Sequence, residues 1–296
     1  MDVDIGKGKY VAAISGGVDS IVLLDLLSKL DGVVLVVAHF NHGIRPDSEE
    51  DEELVRQTAE KYGLFFEAGY GYLGAGTSEE KARTARYKFL MAVKKKYQAD
   101  KIITAHHQDD LLETAFINII RGTGRRGLTA ISDNPGIIRP LLDWAKKDII
   151  AYAKKHSLKW RTDPTNDDVT LLRNYVRRRI IPALSARQRR QMLNDLKNLS
   201  GLNRDINLEI AKMSQNIVNS EQIDRNKFIS LPSEIANEVM MYFLRSNGIK
   251  EFDKPAVERL AIAVKTAKPG TKHDISRGAY LEMFVSKALL KTTVNR

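Results

Sequence analysis

Cysteine is absent from all 296 residues. That excludes disulfides, thiolate zinc sites, cysteine-ligated iron–sulfur clusters and any reaction that carries sulfur on a cysteine of this chain. No apolar run reaches the roughly 18 residues that a membrane-spanning helix requires. The phosphate loop of kinases and motor ATPases, Gly-x-x-x-x-Gly-Lys-Ser/Thr, is missing too, so their grip on a γ-phosphate is not expected. The first residues, MDVDIGKGKY, form neither a basic n-region nor an apolar h-region, so no secretory leader and a cytosolic location are expected. Internal repeats and low-complexity tracts are lacking as well. What remains is 43% hydrophobic and 28% charged, a balance that excludes disorder. The length fits one ordinary domain with a smaller companion.

Basic residues outnumber acidic ones, 47 against 37, and the excess is not spread evenly. Residues 1–170 carry a net charge of about −1 and residues 171–296 about +11. Residues 171–190, LLRNYVRRRIIPALSARQRR, hold seven arginines and no acid. Guanidinium groups without counter-charge suit a phosphate backbone, since each contact releases condensed counterions. The plainer reading is a solvated helix face whose acids come from elsewhere in the fold.

Strand and helix patterns alternate through the first 120 residues. KYVAAIS (9–15) reads as a buried strand, and 19–30 as a helix. VVLVVAHF (33–40) suits a parallel strand covered on both faces, followed by an acid-opened helix over 47–62. A short strand is expected at 64–67 and a helix at 78–97 with Ser78 as its cap. A further strand at 101–107 feeds a helix at 109–121. The fold class predicted is α/β, a doubly wound and mainly parallel sheet with ligands at the carboxyl ends of its strands. After Arg121 the strands are expected to stop, with helices at 144–156, 171–184 and 187–217 and a helix pair over 228–248. A small α+β domain should end in a hairpin. The domain boundaries predicted are 1–186 for a nucleotide-binding catalytic domain, 187–217 for a helical connection and 218–296 for a small nucleic-acid-binding domain.

Ser15-Gly16-Gly17-Val18-Asp19-Ser20 lies between a strand and a helix, where phosphate chemistry needs it. The glycines let backbone N–H groups approach a phosphate, and the helix N-terminus adds partial positive charge. Ser15 and Ser20 can donate to phosphate oxygens, and Asp19 is placed to hold Mg²⁺. The loop should grip pyrophosphate, and it resembles the signature of the PP-loop ATP pyrophosphatases. Gly122-Thr-Gly124-Arg-Arg-Gly127 matches Gly-x-Gly-x-x-Gly by letter, but it follows a helix instead of a strand, so a basic loop is expected there rather than a dinucleotide site.

Two further strand ends carry polar clusters. His39-Phe40-Asn41-His42-Gly43-Ile44-Arg45 closes the second strand. His39 and His42 can bind metal or hydrogen-bond a nucleotide or substrate, and Asn41 and Gly43 can simply shape a turn. His106-His107-Gln108-Asp109-Asp110 closes the strand from Lys101, with Glu113 one turn onward. These carboxylates can be dipole partners of the helix or catalytic groups. On the helix between them, Glu80, Arg83 and Tyr87 share a face flanked by Arg86, either as a binding face or as an exposed ion-pair ladder.

Taken in order, the chain resembles the tRNA(Ile)-lysidine synthetases over residues 9–184. The resemblance rests on SGGVDS (15–20), HFNHGIR (39–45), EEKARTARY (79–87), TAHHQDDLLET (104–114), RGTGRRGLTAI (121–131), RPLL (139–142) and TDPTNDDVTLLRNYVR (162–177). The C-terminal 100 residues match more weakly, and the chain would be a short form without the second C-terminal domain of larger members. The resemblance implies that ATP adenylates the C2 oxygen of the wobble cytidine (C34) in a tRNA-Ile with a CAU anticodon. The ε-amine of L-lysine then displaces AMP and leaves lysidine. It places ATP on Ser15, Gly16, Gly17, Val18, Asp19, Ser20 and His39, with Mg²⁺ on Asp19. Catalysis falls to Asp19, Asp109, Asp110 and Glu113. Substrate and tRNA contacts fall to Asn41, His42, Arg45, Glu80, Arg83, Arg86, His106, Arg121, Arg125, Arg173, Asn174, Arg177 and Arg178. A homodimer is allowed, and no membrane partner is expected. Rival readings are a thiolase-like PP-loop enzyme acting on a tRNA base, an amide ligase acting on a small metabolite, and a catalytically silent tRNA-binding module.

Overall fold

The computed structural model describes residues 3–43, 48–71, 74, 77–132, 134, 136–162, 172–249, 252–276 and 278–292. It divides into two compact units, residues 1–200 and 201–296, and the division falls within the long helix α9 (Ala186–Ser214).

The first unit is a five-stranded parallel sheet in the order β3-β2-β1-β4-β5. Its strands are β1 (Gly8–Ala13), β2 (Val33–Asn41), β3 (Phe65–Tyr70), β4 (Lys101–Thr104) and β5 (Ile137–Ile138). Val11, Val36, Val37, Ile102 and Ile103 are fully buried in its centre, as expected for parallel strands covered on both faces. One side is closed by α1 (Val18–Leu27), α2 (Ser48–Lys61) and α6 (Lys146–Lys155), through Leu23, Leu24, Val55, Ile149 and Ala153. The other is closed by α3 (Glu79–Lys96), through Leu90 and Val93. Ser78 caps α3, accepting from the N–H of Lys81 at 3.4 Å. Strand order reverses between β1 and β4, which places a ligand crevice outside the carboxyl ends of these two strands. β5 departs from the expectation that strands end after Arg121. At two residues it is too short to show a period, and it exists because β4 offers it an edge.

Behind the loop after β1, the buried Asp25 of α1 ties three helices together. It accepts from Lys29 Nζ at 2.6 Å and from the hydroxyls of Tyr62, just past α2, and Tyr152 of α6, each at 2.7 Å. Burial works to raise the Asp25 pKa, and these three donors outweigh it and hold the carboxylate below its ordinary value.

The arginine-rich stretch is helical from Leu172 to Ala183 but not regular. A turn of α-helix, α7 (Leu172–Tyr175), widens into a π turn (Val176–Ile180) and returns as α8 (Ile181–Ala183). Pro182 lacks an N–H and crowds the carbonyl four residues back, and a widened turn relieves both conflicts.

The second unit packs α10 (Arg225–Ile229), α11 (Ser233–Ser246) and α12 (Lys254–Thr266) on an antiparallel sheet of order β6-β7-β10-β9-β8. Its strands are β6 (Val218–Asn219), β7 (Gln222–Asp224), β8 (Lys272–Ser276), β9 (Ala279–Met283) and β10 (Lys287–Thr292). Phe228, Phe243, Met240, Leu260 and Leu281 form its core. The buried Arg225 guanidinium donates to three carbonyls, Val264 O at 2.7 Å, Phe284 O at 2.6 Å and Ala267 O at 2.8 Å, fastening the end of α12 to the β9–β10 turn. No helix among the described residues is long and apolar enough to cross a membrane.

Candidate active site

The crevice between β1 and β4 is built from three chain segments. After β1, Gly16 turns the chain at φ +93°, a region where a side chain is strained, and Gly17 caps α1 without a side-chain bond. Ser20, on the first turn of α1, closes the loop on itself. Its Oγ accepts from the N–H groups of Ser15 and Gly16 at 3.2 and 3.1 Å, donates to Gly17 O at 2.9 Å, and lies 3.2 Å from Ser15 Oγ. The result is a nest of backbone donors and hydroxyls at the positive end of a helix, the arrangement that receives phosphate. Arg161 braces it from outside. Its N–H bonds Gly16 O at 3.0 Å, and its guanidinium pairs with Asp51 at 2.7 Å and with Glu50.

Asp19 points out of this loop, and both of its oxygens meet Lys146 Nζ at 2.7 Å. An ammonium therefore sits against this carboxylate, where a Mg²⁺ ion held by Asp19 would have to displace or share it. Among the described residues no three His, Cys, Asp or Glu side chains cluster for a metal. One carboxylate suits Mg²⁺ held mainly through phosphate oxygens and water.

Across the crevice, His107 caps α4 (Gln108–Ile120) in a capping box. Its Nδ1 accepts from Asp109 N–H at 3.2 Å, while Asp110 Oδ2 accepts from the His107 N–H at 2.9 Å. With Nδ1 accepting, the proton lies on Nε2, which faces Asp110 at 3.5 Å and Asp19 at 3.7 Å. His107 thus bridges the acids at the two strand ends.

The carboxylates of α4 differ in environment. Burial works to raise the Asp110 pKa, but His107, His106 and Arg177 outweigh it and hold the group below the ordinary range. Glu113 is 1% exposed. Burial pushes its pKa up, with Asp110 adding to the effect, against a bidentate pair with Arg177 at 2.6 and 3.0 Å. Arg173 stands 3.9 Å from the same carboxylate. Asp109 is paired with Arg189 of α9. Two carboxylates one turn apart are thus tuned in opposite directions, one toward ionisation and one toward holding a proton.

On the α3 side, His106 accepts or donates at Thr104 Oγ1 at 2.8 Å. Burial lowers its pKa to about 4, with Arg139, Arg86 and Arg83 adding to that and Asp110 opposing. The imidazole is neutral at neutral pH. Arg83 and Arg86 lie over the Tyr87 ring, 4.8 and 5.6 Å from its centroid, so the face expected from sequence is a stack of guanidinium on aromatic. Glu80 is exposed one turn before Arg83.

Not every expected residue faces the crevice. His39 is buried with Nδ1 bonded to Ile14 O at 2.9 Å, and burial lowers its pKa. Asn41 accepts from Gly43 N–H at 2.9 Å and shapes the turn after β2. His42 stands edge-on to Phe40 at 4.9 Å. Arg121 and Arg125 lie at the far end of α4 from His107, about 20 Å away by helix length. Gly124 caps the short α5 (Arg125–Leu128), and the glycine-rich run follows a helix. Asn174 is buried and Arg178 exposed on the α7 and π turns. Arg45 lies outside the described residues. Sequence reasoning assigned no role to Lys146, His107, Arg139, Arg161 or Arg189, although His107 stood in the polar cluster that closes the strand from Lys101, Arg139 in the RPLL run and Arg189 in the acid-free basic stretch.

A glycine-turned nest after the first parallel strand, a cation-binding aspartate and a switch-point crevice define a PP-loop nucleotide-binding protein. The model of the PP-loop domain family matches residues 3–184. The tRNA(Ile)-lysidine synthase of Francisella tularensis subsp. holarctica (strain OSU18) is 29% identical over 293 residues, covering 95% of this chain and 73% of that protein. The synthase of Thermotoga maritima is 38% identical over 189 residues, 60% of this chain and 46% of that protein. The synthase of Thermus thermophilus is 40% identical over 188 residues, 61% and 36%. The chain spans less than half the length of these last two relatives. Among solved structures, the U34-tRNA thiolase NcsA from Methanococcus maripaludis with its 4Fe-4S cluster superposes with a TM-score of 0.54 at 18% identity, over 67% of this chain and 74% of that one. At that identity it shares the fold. The chain belongs to the PP-loop family, in its branch of tRNA(Ile)-lysidine synthases, which are ATP-dependent ligases.

Proposed function

We propose that this protein joins L-lysine to C2 of the wobble cytidine (C34) of a tRNA-Ile with a CAU anticodon, by way of an adenylated cytidine, releasing pyrophosphate and AMP. The observation that carries this reading is the meeting, in one crevice, of a pyrophosphate nest with two oppositely tuned carboxylates. The two halves of the reaction call for these two devices.

In the first half, the cytidine oxygen attacks the α-phosphorus in line with departing pyrophosphate. The N–H groups and hydroxyls of Ser15, Gly16, Gly17 and Ser20 receive the leaving group, with Val18 opening the helix behind it. Mg²⁺ on Asp19 would supply charge neutralisation between phosphate oxygens, the place that Lys146 fills in this structure. Arg83, Arg86 and the neutral His106 line the α3 side, suited to phosphate and base edges.

In the second half, the lysine amine must arrive as an ammonium and attack as an amine. Asp110, kept ionised, is the anchor for the ammonium. Glu113, with its raised pKa, is the better proton acceptor once Arg177 shifts its bonds. Asp109, paired with Arg189, is the least available of the three. The second unit and Arg173, Arg177 and Arg178 would hold the tRNA. The catalytic work belongs to residues 1–186, the connection to 187–217 and RNA binding to 218–296, with a homodimer as the assembly to test.

The experiment is ATP-dependent incorporation of labelled lysine into a tRNA-Ile transcript with a CAU anticodon, beside a transcript whose wobble cytidine is uridine. Label in the first alone supports the reading. Pyrophosphate release that depends on tRNA but leaves no lysine on it overturns the ligation step. RNA binding with neither signal overturns catalysis altogether.

A further inference from the structure

Beside the crevice, the first unit holds a cleft of about 560 Å³ whose walls are cationic. Lys146 and Lys147 open α6 on one wall, Arg189 and Arg190 stand on α9 on the other, and Gln108 and Asp109 come from the start of α4. Four cations face one carboxylate. Two of the four are engaged, Lys146 with Asp19 and Arg189 with Asp109. Lys147 and Arg190 are exposed, and neither meets a carboxylate among the described residues. The remaining lining, Ala145, Ala186 and Leu193, is apolar. Burial also holds the Arg189 guanidinium pKa below its ordinary value.

We propose that this cleft binds the phosphodiester backbone of a single-stranded RNA segment, at a phosphate neighbouring the nucleotide presented to Asp19 and the loop. The inference rests on the RNA substrate of the function proposed above. The phosphates of a nucleotide already have a receptor in the backbone nest of Ser15 to Ser20, on the other side of Lys146. The cleft lacks such a nest and offers long flexible cations on its rim instead. Cations of this kind position a backbone without reading sequence, and the apolar patches between them suit ribose. The volume falls within the range of sites that hold a molecule of nucleotide size. Lys146 stands between the two places, so a phosphate in the cleft would lie within a side chain's length of the carboxylate that serves the loop.

The test uses the full chain carrying Lys147→Ala and Arg190→Ala together, both exposed and outside the loop and the α4 carboxylates. Binding of a fluorescent CAU anticodon stem-loop is measured across a potassium chloride series, and ATP binding is measured in parallel. The double variant is expected to lose about tenfold or more in RNA affinity at moderate salt, with a slope of log affinity against log salt shallower by about 1 to 2. ATP affinity should hold within about twofold, and the charge-preserving pair Lys147→Arg and Arg190→Lys should keep the wild-type slope. An unchanged affinity and slope overturns the cleft while leaving the wider function standing. An equal fall in ATP affinity overturns it too, by giving the cleft to nucleotide phosphates. Failure of the wild-type chain to bind the stem-loop overturns both readings.

Discussion

Replacing Arg177 with alanine strands the Glu113 carboxylate. Glu113 is 1% exposed and receives two guanidinium bonds at 2.6 and 3.0 Å. Breaking a fully buried pair from one side costs about 3–5 kcal/mol. Two features reduce that here. The Arg177 side chain is 38% exposed, which admits solvent screening, and Arg173 stands 3.9 Å from the same carboxylate. About 2–3 kcal/mol is therefore expected near pH 7.5. Both tryptophans, Trp144 and Trp160, lie in the first unit, so their fluorescence during urea unfolding reports the unit that holds the pair. The pH dependence gives the sharper check. The Glu113 pKa is already raised in the folded chain, and removing Arg177 raises it further. A group with a raised folded pKa contributes stability that is full below the unfolded value and is lost as pH rises through the folded one. The deficit of the variant against wild type must therefore shrink as pH falls from 7.5 toward 5, because a protonated Glu113 no longer needs its partner. Glu113→Gln with Arg177→Ala should recover most of the loss. A deficit below about 1 kcal/mol at pH 7.5, or one that does not change with pH, would refute the reasoning.

Other perturbations reach separate parts of the molecule. Asp19→Asn removes the charge that holds Lys146 and should cut tRNA-dependent pyrophosphate release by about a hundredfold or more while leaving stem-loop binding in place, as parallel assays would show. The His106 pKa, near 4, places stability at its full value above the ordinary histidine range and has it fall as pH drops toward 4. Its ring resonances should stay constant between pH 6 and 8, and a titration above pH 6 contradicts the assignment. Gly16→Ala imposes a side chain at φ +93°, with its Cβ 3.4 Å from Asp51 O, and should lower the urea midpoint by the equivalent of about 1–2 kcal/mol. Arg225→Lys replaces a fork that spans three carbonyls with a point charge. It should destabilise the second unit by about 2–3 kcal/mol, with hydrogen exchange quickening first around Ala267 and Phe284.

The sheet of the first unit was legible because its strands are apolar and β-branched and its turns are written in glycine and acid. VVLVVAHF can hardly be anything but a doubly covered strand. The loop at 15–20 and the carboxylates at 109–113 were legible for a related reason, since strand ends in such a sheet converge on one ligand. The two-residue β5 was not legible, because it has no period and forms only against β4. Lys146 was hidden for another reason. A lysine in a first helical turn is ordinary in sequence, and only the packing of α6 on α1 brings it to Asp19. The charge of its stretch marked Arg177 as a phosphate contact, but its pairing with Glu113, 64 residues earlier in the chain, lies beyond any local pattern. The π turn was equally unannounced, although Pro182 in a run of helix formers hinted that a regular helix could not continue unchanged.

The four groups of the Asp25 network are all displaced away from neutrality. The Asp25 carboxyl is held low, and the Tyr62 and Tyr152 phenols are pushed up, by burial first. For Lys29, burial is outweighed by its bonds to Asp25 and Tyr152, so its ammonium also moves up. From roughly pH 4 to pH 10 the knot that joins the three helices behind the loop therefore keeps a single charge state. Within that window Glu113, whose pKa is raised, can change its protonation while the frame that aims it feels no change of charge. The scaffold and the chemistry answer to different stretches of the pH scale, so a proton moved at the crevice remains a local event.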